Sequence, residues 1–308
     1  MLFMKLDSLP SIDDRAPARV KQCGHVLEIM ARNHFGHTEA TTIKLSNDDY
    51  FDTRTGEVKQ FQHYTSRVDD LKSVSRSLAM GRDMLNTNIT DVSHCRWITL
   101  TYADNMTDTK KLYNDFKNFN KRCRNQFGHY EYITAAEPQG RGAWHLHCVL
   151  IFEGKAPYMA NDVVANLWKQ GFVTVKKLDN VDNVGAYLTA YLGDMELSEA
   201  TAQVRENTIN SLSYKDVDIT DENGNKVTKR YIKGARLFMY PPKFNIFRYS
   251  RGCKKPVVTY TYYSDAKKKA CVGAQTFAKG VVIADPDSYF MDTLVYEYYN
   301  TSRSKSQA

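Results

Sequence analysis

The stretch HYEYITAAEPQGRGAWHLHCVLIF, residues 129–152, decides the reading of the fold. HYEYITAAE alternates polar and apolar residues and WHLHCVLIF runs apolar. The Pro and two Gly of the intervening PQGRGA are turn residues, so the pair reads as a β-hairpin. Successive side chains of a strand point to opposite faces, which puts His145 and His147 on one face and Cys148 on the other. Glu137, at the end of the partner strand, comes alongside both imidazoles across the turn. Two nitrogens and a carboxylate, with positions left open for water or substrate, suit a divalent cation, and such ligands accept Mn²⁺, Mg²⁺ or Zn²⁺.

The flanks extend the pattern. RWITLTYAD (96–104) has the β-branched and aromatic content of a buried strand, and residues 107–127 place Leu112, Phe116, Phe119, Cys123 and Phe127 at helical spacing. Downstream, NDVVANLWKQ (161–170) predicts a helix and FVTVKKL (172–178) a strand. DNVGAYLTAYLGDM (182–195) predicts another helix, capped by Asp182 or Asn183. Strand, helix, strand, strand, helix, strand is the ferredoxin-like α+β order, an antiparallel sheet with helices on one face. A core domain over 91–200 is therefore expected, between an accessory region over 1–90 and a C-terminal region over 201–308 that completes the same domain. The accessory region predicts a helix over 18–36, a hairpin over 41–61 turning at Thr55-Gly56, and a helix over 68–85. The C-terminal region predicts a hairpin over 218–232 centred on Asn223-Gly224, then Tyr-rich strands at 256–264 and 294–300.

Charge points to the partner. The 308 residues carry a formal net charge of +7, and nine Lys or Arg with no Asp or Glu fall between Lys229 and Lys255. That segment interleaves Tyr231, Phe238, Tyr240, Phe244, Phe247 and Tyr249 among its cations, a composition suited to phosphate neutralisation and base stacking on single strands. Arg236, Lys243, Arg248, Arg251, Lys254 and Lys255, with Arg141 at the hairpin tip, are the expected DNA contacts. Six cysteines without CxxC pairs argue against a zinc finger or a disulfide framework and for a reducing compartment. The absence of a signal sequence or a long apolar run predicts a cytoplasmic protein with no membrane partner.

Tyr187 and Tyr191 are four residues apart, one turn on the same helix face, beside Val184, Leu188 and Leu192. Such a pair usually packs in a core. Next to a metal it acquires a chemical use: tyrosine has an ordinary pKa near 10, and a cation that polarises a phosphodiester compensates for so weak a nucleophile. The product is a phosphotyrosine that stores the energy of the broken backbone, so rejoining needs no ATP.

Taken in order, WITLTY (97–102), HLHCVLIF (145–152) and VGAYLTAYL (184–192) resemble the three motifs of the HUH endonucleases, specifically the rolling-circle replication initiators of small plasmids and single-stranded DNA phages. The segment RLFMYPPKFNIFRYSRGCKKP (236–256) is similar to one that follows the nuclease domain in some of these initiators. The resemblance implies His145, His147 and Glu137 as ligands of Mg²⁺ or Mn²⁺, and Tyr191, ahead of Tyr187, as the nucleophile. It also implies single-stranded or hairpin origin DNA as substrate, with no small-molecule cofactor. Many members carry a Lys three residues after the first tyrosine; here that position is Ala190, with Lys176 and Lys177 as candidate replacements. No GxxxxGK[ST] motif occurs, so a host helicase is expected to unwind the DNA and a host polymerase to extend it. A mobilisation relaxase or a single-strand transposase would share the chemistry. A non-enzymatic nucleic-acid-binding protein would share the sheet but leave His145, His147 and Glu137 without a role.

Overall fold

The computed structural model describes residues 2–6, 8–33, 42–53, 55–63, 71–178, 194–196, 214–220, 226–232, 235–285 and 290–303. In chain order the strands are β1 (Leu2–Leu6), β2 (Pro17–Cys23), β3 (Val26–Arg32), β4 (Thr42–Lys44), β5 (Asp49–Asp52), β6 (Glu57–Gln60), β7 (Cys95–Thr101), β8 (Glu131–Pro138) and β9 (Trp144–Ile151). They continue as β10 (Val173–Lys176), β11 (Met195–Glu196), β12 (Tyr214–Thr220), β13 (Lys226–Ile232), β14 (Phe247–Tyr249), β15 (Val257–Tyr262), β16 (Ala274–Asp285) and β17 (Phe290–Asn300). The four α-helices among the described residues are α1 (Leu71–Asn88), α2 (Thr109–Phe127), α3 (Asn161–Trp168) and α4 (Tyr263–Ala270). None is long and apolar enough to cross a membrane.

The chain divides into two units, one over Ser66–Lys255 and one joining Met1–Thr65 to Pro256–Ala308, and not at the boundaries expected near 90 and 200. The difference comes from strand pairing. Of residues 18–36, expected as a helix, those over 18–32 are instead the β2–β3 hairpin, in which Ala18, Val20 and Cys23 are buried on one strand and Leu27, Ile29 and Ala31 on the other, and 34–36 lie outside the described residues. Strands β15 and β17, from the far end of the chain, flank that hairpin and satisfy its outer backbone groups. The result is a six-stranded sheet, β1-β16-β17-β3-β2-β15. Ala266 and Ala270 of α4 complete a core with Ala18, Val20, Leu27, Ile29, Ala31 and Tyr299. The hairpin expected over 41–61 is present as β5–β6, with β4 added as a third strand.

In the other unit, β10-β7-β9-β8-β14 form a five-stranded antiparallel sheet. The order β10-β7-β9-β8, with α2 and α3 as the connections, is the expected ferredoxin-like arrangement, and β14 is an addition at its edge. The apolar stripe of α2 (Leu112, Phe116, Phe119, Cys123) joins Ile98, Leu100, Leu146, Cys148 and Leu150 in one core. Asp108 caps α2 by accepting from the N–H groups of Lys110 and Lys111. Trp168 at the end of α3 meets Phe119 edge-on at 5.9 Å and donates its indole N–H to the Thr101 carbonyl at 3.0 Å, which ties both helices to β7. Strands β12 and β13 pair from Tyr214–Ile232 to Thr220–Lys226 and add β11, while the expected turn at Asn223-Gly224 lies outside the described residues. The helix expected over 182–195 lies outside the described residues except at its last two positions.

Two glycines permit close approaches. A Cβ at Gly81 in α1 would enter the ring of Phe247, so only hydrogen lets the helix lie against β14. Gly171 has φ +152, and a Cβ there would meet Ala103 N and the Thr101 carbonyl oxygen, the latter at 2.6 Å, just where the chain turns from α3 into β10. Gly171→Ala is expected to lower stability by about 2 kcal/mol. Gly154→Ala, whose Cβ meets nothing within 4 Å, should be near neutral. Urea denaturation of the two variants compares them directly, and equal midpoints would contradict the crowding.

Candidate active site

Strand β9 projects His145 and His147 from the sheet face opposite to Leu146, Cys148 and Leu150. Cys148 is fully buried and its thiol pKa is raised well above the ordinary value by burial and by the nearby Cys123. It is excluded from the site, as the strand alternation predicts. Glu137 on β8 stands directly opposite His145, and Ala135 stands opposite His147. Because Ala135 is small, the Glu137 side chain reaches diagonally to His147, with 2.8 Å between Oε2 and Nε2. On the other side, Thr99 of β7 lies opposite His147, with its Oγ1 3.2 Å from Nδ1. Both ring nitrogens of His147 are thus engaged, Nε2 by the carboxylate and Nδ1 by the hydroxyl. Trp97 stacks on the His147 ring at 5.2 Å and completes its seating.

Arg236 closes the cluster. It comes from a short 3-10 helix, Ala235–Met239, and is 6% exposed. One terminal nitrogen lies 2.9 Å from Glu137 Oε1, the other donates to the Pro138 carbonyl at 2.8 Å, and Nε donates to the Asp194 carbonyl at 2.7 Å. All three guanidinium nitrogens are engaged. Asp194 immediately follows the segment that carries Tyr187 and Tyr191, so Arg236 ties the end of that segment to the carboxylate of the site.

The electrostatics separate the two histidines. Burial works to raise the Glu137 carboxyl, but the hydrogen bond and charge of His147 together with Arg236 outweigh it and hold the group below the ordinary carboxylate range. Burial, reinforced by the charges of His147 and Arg236, pushes His145 down to about 4. His145 is therefore neutral near pH 7, and its Nε2 is buried with no hydrogen-bond partner. An orphaned nitrogen on a neutral imidazole, opposite an ionised carboxylate in the register, has the ligand chemistry that suits a divalent cation. Among the described residues no three His, Cys, Asp or Glu side chains are gathered as a formed metal site. The His145 and His147 rings lie 6.2 Å apart and nearly perpendicular, and both Glu137 oxygens are already engaged. The ligand types fit a divalent metal, which His145, His147 and Glu137 would hold.

The other expected contacts fall in several places. Tyr187, Tyr191 and Ala190 lie outside the described residues. Lys176 stands opposite Trp97 in register, on the His147 face, and is exposed. Arg141 is exposed at the hairpin tip but is drawn back to the carbonyls of Tyr102 (2.7 Å) and Ala103 (3.3 Å). Lys243, Arg251, Lys254 and Lys255 are exposed, and Arg248 lies over the ring of Tyr113 at 3.2 Å, on the helix side of the sheet. Arg236, expected on the DNA-contacting surface, is buried against Glu137. Of the interleaved aromatics, Tyr240, Phe244 and Phe247 are core residues, with Phe244 stacked on Trp144 at 4.8 Å. Thr99, Trp97 and the true place of Arg236 were missed by the sequence reading. Alternation along WITLTY marks the first two, whereas nothing local marks the third.

Residues 95–196 match the model of a family described as Replication-associated protein ORF2, about a third of the chain. No curated protein and no solved structure matches significantly. The match spans the same segment as the three motifs and agrees with the resemblance to rolling-circle initiators.

Removing Arg236 strips the buried Glu137 carboxylate of one of its two partners and leaves the Pro138 and Asp194 carbonyls without their donor. Arg236→Ala is expected to cost about 3 kcal/mol, and more than Arg248→Ala on the exposed face, in chemical denaturation. Equal losses would show that the buried pair carries no special weight.

Proposed function

We propose that the protein initiates rolling-circle replication by nicking and rejoining a single DNA strand at a specific origin. The observation that carries this reading is the orphaned Nε2 of His145 beside the Glu137–His147 pair, within the segment that matches a replication-associated family. Neither a bare nucleic-acid-binding sheet nor a structural hairpin needs that arrangement.

In this reading His145, His147 and Glu137 hold Mg²⁺ or Mn²⁺. A cation held there would supply Lewis-acid polarisation of the scissile phosphate. Glu137 supplies the negative charge, Arg236 fixes the carboxylate, and Thr99 with Trp97 fix the His147 ring. Burial keeps His145 unprotonated and free to ligate. Tyr191, ahead of Tyr187, attacks phosphorus through its phenolic oxygen. The bond to the 3′ oxygen breaks, the leaving strand takes up a proton as a free 3′-hydroxyl, and the 5′ end stays on the tyrosine. Lys176, on the site face, is the candidate for the position that Ala190 leaves without a cation. The free 3′ end serves a host polymerase, a host helicase opens the duplex, and the reaction takes place in the cytoplasm.

The test is incubation of an origin-bearing single strand with Mn²⁺, comparing the native chain with Tyr187→Phe and Tyr191→Phe. A covalent protein–DNA adduct lost in Tyr191→Phe is expected; absence of any adduct under all conditions would sink the enzymatic reading. Independently of cutting, Mn²⁺ at a hundredfold excess over its Kd should stabilise the fold by about 2.7 kcal/mol. His145→Ala should abolish that gain while leaving stability without metal little changed, because the nitrogen it removes has no partner.

A further inference from the structure

The sheet of the unit formed by the two chain ends has one face packed on α4 and one that carries rings and cations. Lys267 of α4 bonds Glu297 at 2.7 Å, and Tyr263 bonds the same carboxylate at 3.1 Å, so Glu297 and Tyr299 of β17 point toward the helix. Tyr296 and Tyr298 point to the opposite face. The strand registers then align a row across the sheet: Tyr260 beside Arg19, Arg19 beside Met30, Met30 beside Tyr296, and Tyr296 beside Lys279. A second row sets Lys21 beside Glu28, Glu28 beside Tyr298, and Tyr298 beside Phe277. At about 4.8 Å per strand, the first row spans roughly 19 Å.

The exposure of this face is unusual. Tyr260 is 78% exposed and Phe277 50%, and a depression of about 410 Å³ opens between Phe277, Lys279, Tyr296 and Tyr298. Rings of this size left in water mark a binding surface more often than a solvent-facing sheet. Arg19, Lys21, Arg32 and Lys279 outnumber Glu28 and Asp292, and each of those two carboxylates is already paired with a cation of the same face. The excess is positive, and it is interspersed with aromatic planes at inter-strand spacing.

We infer that this face binds single-stranded DNA, laid across the strands, with bases stacked on Tyr260, Tyr296, Tyr298 and Phe277 and phosphates neutralised by Arg19 and Lys279. Stacking on rings is indifferent to base identity, so the surface holds a strand without reading its sequence. The choice of DNA rests on the proposed function, whereas the stacking-and-charge chemistry does not. It is a second nucleic-acid surface, built on a different sheet from the one that carries His145 and His147.

The test uses the full chain in EDTA, where no cutting occurs, and follows fluorescence anisotropy of a labelled random-sequence single strand of about a dozen nucleotides. Tyr260→Ala/Tyr296→Ala should weaken binding about tenfold or more, and Tyr260→Phe/Tyr296→Phe should retain it within about twofold. Lys279→Gln should reduce the slope of log K against log salt by about 0.7. In the native chain, photo-crosslinking of a bromodeoxyuridine strand should label peptides of β15, β16 or β17. Unchanged affinity in the alanine pair, or crosslinks confined to other peptides, overturns the inference. A dimer lost in the alanine pair with DNA affinity intact also overturns it and assigns the face to a second copy of the chain. Because His145→Ala/His147→Ala should abolish adduct formation and leave this binding intact, failure of the nicking chemistry and failure of this surface are told apart.

Discussion

A buried carboxylate has to be neutralised, and the organisation of the candidate site follows from how Glu137 meets that requirement. Desolvation opposes its charge, and the opposition is overcome only because His147 and Arg236 each occupy one of its oxygens. The first partner comes from the adjacent strand and the second from a segment about a hundred residues further on. The carboxylate thereby draws the hairpin, the 3-10 helix Ala235–Met239 and the backbone just after the tyrosine segment into one cluster. Arg236 is a positioning residue in that cluster, and its burial removes it from the basic surface around it.

The two histidines differ although they share one strand and one face of it. His147 is held on three sides, by carboxylate, hydroxyl and indole. His145 is equally shielded from solvent at Nε2 but has no polar partner there. A core histidine normally finds a partner for each buried nitrogen. His145 departs from that rule, and it stands opposite the Glu137 carboxylate in the strand register.

The ferredoxin-like core and the outer sheet manage their faces differently. In the core sheet one face is sealed by α2 and α3 and the other carries the polar cluster, partly covered where Gly81 lets α1 approach Phe247. In the outer sheet α4 is too short to cover six strands, and the opposite face leaves Tyr260 and Phe277 exposed and Tyr296 and Tyr298 half-buried. Both sheets thus collect their polar and aromatic side chains on the face opposite the helices that seal them.

The sequence by itself determined the core from residues 96 to 178, because its strands and helices are local, their hydrophobic periods are unmixed and the hairpin is closed by its own turn. Alternation alone placed His145, His147 and Glu137 on one face and Cys148 on the other, and the spacing of Leu112, Phe116 and Phe119 marked the helix that seals the sheet. Only the tertiary structure decided what depends on partners distant in the chain. Residues 18–36 fit a helix as well as a hairpin until β15 and β17 supply hydrogen bonds on both edges. Arg236 looks like one of nine surface cations until Glu137 is found beside it. Short local patterns carry no record of which distant group will neutralise a charge or complete a sheet, and packing alone makes that choice.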